Sequence, residues 1–95
     1  MLYRFKCGAA GDVVMTGARG EQLLTIIGKT PASRGIVAAE DLPEAIQALE
    51  HAVADEEAGT APLEHDEVTL RQRAWPLLDM FRQARDARMA VVWGV

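Results

Sequence analysis

The side chains best suited to chemistry gather in residues 69–81, TLRQRAWPLLDMF, where Arg71, Gln72, Arg73 and Trp75 crowd around Pro76. A proline inside a helix has no N–H, so the carbonyl four residues earlier, that of Gln72, loses its helical donor. A free acceptor, the guanidinium groups of Arg71 and Arg73, and an indole wall from Trp75 would suit a small anionic ligand. The plainer reading is a bend that wraps a helix around a sheet, with the freed carbonyl meeting water or a side chain.

Other constellations are weaker. Arg71, Arg82 and Arg85 project within about 60° of one another on a helix at 100° per residue. They suit an anionic ligand, the acidic helix of residues 44–57, or a solvated face. Gly28-Lys29-Thr30 looks like the end of a phosphate-binding loop, but that pattern wants glycine where Leu23 stands and a strand before it. Gly8 and Gly11 fit a hairpin loop better than an anion-binding nest. Cys7 shares an alternating face with Tyr3 and Phe5, which makes it a small core residue with a slow thiol. His51 and Asp55 stand one turn apart and His65 lies in EHDE, without the spacing of a metal-ligand set. No Ser/His/Asp or Cys/His arrangement is present, so the sequence favours a non-enzyme with no metal and no cofactor.

The elements that must position these residues follow from periodicity. LYRFKC alternates as a strand, GAAGD is turn chemistry, and DVVMT is a second short strand, which together make a hairpin. Leu23, Leu24, Ile26 and Ile27 predict a short helix over residues 19–27, ended by a left-handed Gly28, although Thr-Ile-Ile also favours a strand. Ile36-Val37 suits a brief strand. Asp41 is a candidate helix N-cap, with Glu44 three positions on and Pro43 in the first turn. Leu42, Ile46, Leu49 and Val53 continue from it as an amphipathic stripe. That helix ends on Asp55, Glu56 and Glu57, at the negative end of its own dipole, so it frays unless a basic partner meets it. Residues 59–68 read as a mobile acidic loop.

Thr69 and Gln72 form a capping-box signature, so the next helix starts before Pro76 rather than at it. Leu70, Ala74, Leu77, Phe81 and Ala84 keep one phase through the proline, which predicts a single kinked helix over residues 69–88. MAVVWGV, apolar on both faces, predicts a central closing strand.

Composition bounds the rest. Ninety-five residues, 49% hydrophobic and 25% charged, suit one soluble domain with a thin core, which raises the expectation of a homodimer. Arg4 and Lys6 sit where a secretory signal needs apolar residues, no run is long enough to span a bilayer, and one cysteine cannot form an internal disulfide. These features point to the cytoplasm and away from a membrane. The net charge of -4 is segregated: residues 1–39 carry +3, residues 40–67 carry -10 with no basic side chain, and residues 68–95 carry +3. Such a pattern suits self-complementarity or a protein partner, while a pI near 5.0 argues against nucleic acid.

MLYRFK, AAGDV, IIGK, Gly35-Ile36, LPEAI, LRQRAWPLL and VVWGV together resemble a family of short bacterial proteins, the domain of unknown function numbered eighteen-forty. The resemblance implies a proteobacterial cytoplasmic protein with no established activity, and it transfers no site residue. The expected architecture is α+β: a small mixed sheet, made of the N-terminal hairpin and the C-terminal strand, packed against two longer helices and one short one. The expected role is a non-catalytic interaction or regulatory module acting as a homodimer. The alternative is a small anionic-metabolite binder or minor enzyme, with Arg71, Gln72, Arg73 and Trp75 around its pocket.

Overall fold

A computed structural model describes residues 2–58 and 69–94. The acidic stretch 59–68 expected to be a loop lies outside the described residues. The chain runs β1 (Leu2–Cys7), β2 (Ala10–Thr16), α1 (Gly17–Ile26), β3 (Gly35–Val37), a 3-10 turn (Ala39–Asp41), α2 (Leu42–Ala58), α3 (Leu70–Ala87) and β4 (Val91–Trp93). The strands form one sheet in the order β2-β1-β4-β3, so the α+β class stands as expected and the last strand is central.

One expectation needs correction. The sheet is not mixed; every neighbouring pair is antiparallel. The reason lies in the helices. Glu57 of α2 meets Arg71 of α3 while Glu50 meets Arg82, so the two long helices run in opposite directions. An antiparallel helix pair returns the chain to the end at which β3 left it. The next strand must then run against β3.

Alternation along β1 turns Tyr3 and Phe5 into the core and leaves Leu2 and Arg4 outside. Phe5 stacks with Tyr3 at 6.0 Å between ring centroids and meets Trp93 of β4 at 5.8 Å. Leu23, Leu24, Leu42, Leu49, Leu77 and Phe81 close over this face from the three helices, all fully buried. Each such side chain contributes about 1.5–3 kcal/mol relative to exposure. Among the described residues, the other side of the sheet carries no helix. It bears Leu2, Arg4, Asp12, Val14, Val92 and Ile36, with Val92 between Lys6 and Ile36 in the register.

Local chemistry sets the element ends. Gly28 takes φ 84°, Gly28 N–H donates to the Thr25 carbonyl at 3.0 Å, and Lys29 N–H donates to the Leu24 carbonyl at 2.8 Å. This paired closure ends α1 and accounts for Gly28-Lys29 without any phosphate. α1 itself begins two residues earlier than the pattern suggested, and its Thr25 hydroxyl donates to the Glu21 carbonyl at 2.8 Å. Burial of Leu23 and Leu24 overrides the strand preference of Thr-Ile-Ile. The same closure ends α3, with Arg88 in the left-handed region at φ 57° and Met89 N–H donating to the Ala84 carbonyl at 2.9 Å. Cys7 packs against the core as expected but only half-buried, beside the register shift after Phe5, with its Sγ accepting from Ala9 N–H at 3.3 Å.

Gly20 brings α1 close against Tyr3 of the sheet. A Cβ there would fall on the ring of buried Tyr3, against Cγ, Cδ2 and Cε2. Gly20→Ala should therefore cost about 1–3 kcal/mol through overpacking, despite the roughly 1 kcal/mol that alanine gains in helix propensity. Urea unfolding measures this. A stabilised variant would show that Tyr3 has room to move.

Candidate functional site

Thr69 begins α3 in the way its sequence signature predicts. Its hydroxyl accepts from Gln72 N–H at 3.1 Å, and the Gln72 Oε1 accepts from Thr69 N–H at 3.0 Å. The helix then runs from Leu70 to Ala87 with Pro76 inside it. Burial of Leu70, Ala74, Leu77, Phe81 and Ala84 holds the phase across the proline. The Gln72 side chain is thereby committed to the cap rather than to a ligand.

The acidic end of α2 meets this helix start. Glu56 Oε1 accepts from Leu70 N–H at 2.8 Å, which places a carboxylate at the positive end of the α3 dipole. Glu57 takes Arg71 bidentately, Nε to Oε2 at 2.6 Å and Nη2 to Oε1 at 2.8 Å. So the unfavourable carboxylates predicted at the end of α2 do have a basic partner, and it is α3. Three turns further on, Arg82 Nη2 bonds Glu50 Oε2 at 2.7 Å, and its guanidinium lies 5.6 Å over the Trp75 ring. Arg85 does not join them, because it pairs with its own neighbour Asp86 at 3.1 Å.

Between the ion pairs lies a groove of about 210 Å³. Trp75, Leu78, Val53 and Ala54 form its apolar walls, with Arg71–Glu57 at one end and Arg82–Glu50 at the other. Trp75 is 53% exposed, so its ring faces solvent at the mouth. The groove can hold a small planar group against the indole, with a guanidinium at each end that shares its charge with a carboxylate.

The four residues predicted to share a pocket are divided. Arg71 and Trp75 face α2, as just described. Gln72, Arg73 and Pro76 instead line a second groove, of about 300 Å³, beside β2. There Arg73 Nη1 donates to Gln22 Oε1 of α1 at 3.2 Å. The division follows from helical geometry: residues 71 and 75 are one turn apart, whereas 72 and 73 point a further 100–200° around the axis, at about 100° per residue. Sequence reasoning also passed over Arg82 as the partner of Trp75, though its seven-residue spacing on an amphipathic helix was the signal. Arg19, at the rim of the second groove, left no such signal. Of the remaining candidates, His51 is exposed on α2, and His65 lies outside the described residues.

The Glu57 carboxyl is held below its ordinary range by the hydrogen bonds from Arg71; desolvation opposes this, and the charge of Arg71 adds to it. A carboxyl that binds its proton less tightly when folded stabilises the fold above its ordinary value of 4.5. That contribution fades as the pH falls through the lowered folded-state value. Arg71→Ala should therefore unfold at lower denaturant than wild type near neutral pH, by the small margin of an exposed pair. The gap between the two midpoints should close on acidification well below pH 4.5. A gap that stays constant with pH would assign the loss to packing of the Arg71 stem instead.

Among the described residues, no helix is long and apolar enough to cross a membrane. Compared with known proteins, residues 1–93 match the model of a family described as a domain of unknown function (DUF1840), and the chain belongs to that family. No curated protein matches the chain, and neither does any solved structure.

Proposed function

We propose that this member of the family is a small interaction module that works as a homodimer and carries out no catalysis of its own. The observation that carries the reading is the helix-free side of the sheet. Leu2 is 67% exposed there, Val14 47% and Ile36 51%. Solvated sides of antiparallel sheets ordinarily alternate to polar residues. Apolar residues in those places support a surface that another molecule covers. The strong charges of α3 support a structural role for the helix pair, since Arg71 and Arg82 hold the carboxylates of α2. We place the protein in the bacterial cytoplasm, where the free thiol of Cys7 stays reduced.

Light scattering across the micromolar range tests the dimer. The expected mass is twice the 10.3 kDa of one chain. A single-chain mass at every concentration sinks the proposal.

A second reading rests on Trp75 and Arg82. Their stacked contact at 5.6 Å, next to Arg71, supports a site for a small anion with a planar apolar part. Such a ligand should raise the melting temperature of the wild type in a screen of anionic metabolites. With Arg71→Ala or Trp75→Ala the shift should vanish. Hits that survive both substitutions bind elsewhere and remove this reading.

A further inference from the structure

The two edges of the sheet differ sharply. β3 ends one side with three residues, while β2 ends the other with seven. An edge strand of that length offers unpaired backbone donors and acceptors, which proteins normally blunt with proline, lysine or a covering element. β2, AGDVVMT, contains neither proline nor lysine. Its edge is instead bordered by the 300 Å³ groove, where Val13, Val14 and Met15 meet Thr16, Arg19 and Pro76. Arg19 makes no ion pair with the described residues.

The sequence of β2 is complementary to itself. If two copies of the strand pair antiparallel around Val14, Val14 faces Val14, and Asp12 of each copy comes opposite Thr16 of the other. Arg19 follows Thr16 by three residues and lines the same groove, so its long side chain reaches toward the incoming Asp12. The arrangement is two-fold, so each charge pair forms twice. The Arg4–Asp12 contact, at 3.3 Å and well exposed, is weak enough to be rearranged.

We propose that the homodimer forms by antiparallel pairing of β2 with β2 of a second copy, in a register centred on Val14, joining two four-stranded sheets into one. This inference rests on the dimeric reading above and narrows its contact from the whole helix-free side to the β2 edge, where Val14 lies; Ile36, on the opposite edge, stays outside it. Directly opposed residues in such a ladder have Cβ atoms about 4.5–5.5 Å apart, within reach of a disulfide after small adjustment.

The test uses the full chain in a Cys7→Ala background. Val14→Cys should give a covalent dimer under mild oxidation that reductant reverses, while Ile36→Cys, on the far edge, should stay a single chain. Asp12→Arg and Arg19→Asp should each raise the dimer dissociation constant at least about tenfold. The double exchange should restore it to within a few-fold, although the Arg4 contact remains lost. If wild type scatters as a monomer, both the dimer and this interface fall. A dimer that Val14→Cys does not trap, or that Ile36→Cys traps equally well, keeps the dimer and overturns the interface. Absence of rescue in the double exchange overturns the register.

Discussion

The fold depends on the placement of Trp93. Its indole packs against Phe5 and lies over Gly35, where a Cβ would collide with the ring, and its Nε1–H donates to the Ala32 carbonyl at 3.0 Å. Through these contacts a strand of three residues joins the N-terminal hairpin to β3. Without β4, β1 would expose a second edge and β3 would have no neighbour at all. The pairing of Phe5 with Trp93 also links opposite ends of the chain, which is the kind of contact that chain entropy resists most. The hairpin and the α2–α3 pair are local by comparison. Their buried faces make the non-local closure favourable.

Much of this architecture was legible in the residues. The capping box at Thr69 and Gln72, the stripe from Leu70 to Ala84, and the left-handed Gly28 each follow from local chemistry, and each occurs in the structure. Strand direction was not legible, because it depends on how α2 and α3 pair, and that is a tertiary fact. Nor was the division of the candidate site. Proximity in sequence grouped Arg71, Gln72, Arg73 and Trp75, but helical rotation sends neighbours to different faces. Cys7 shows the same limit at a finer scale: alternation puts it on the core side with Tyr3 and Phe5, but does not reveal the register shift beside it, where it is only half-buried.

The segregation of charge along the chain acquires a structural meaning in the helix pair. α2 ends on carboxylates that oppose its own dipole, and α3 begins with N–H groups and arginines that need acceptors. Glu56 and Glu57 answer both needs at once. The alignment of the two helices is thus set by charge at their ends and by Leu49, Val53, Leu70 and Leu77 between them. Each exposed ion pair alone adds little. Together they select one helix register among the several that an apolar stripe would allow, which is a contribution to specificity more than to stability.

The unequal edges of the sheet also bear on how far self-association can go. A domain with two long, similar edges can add copies end to end, each new copy exposing the edge that captures the next. Here a β2 edge that met a β3 edge would find only three residues to pair with, centred on Ile36. Two long edges that meet each other consume both and leave only short ones outside. Geometry of this kind terminates growth at a closed pair and opposes a filament.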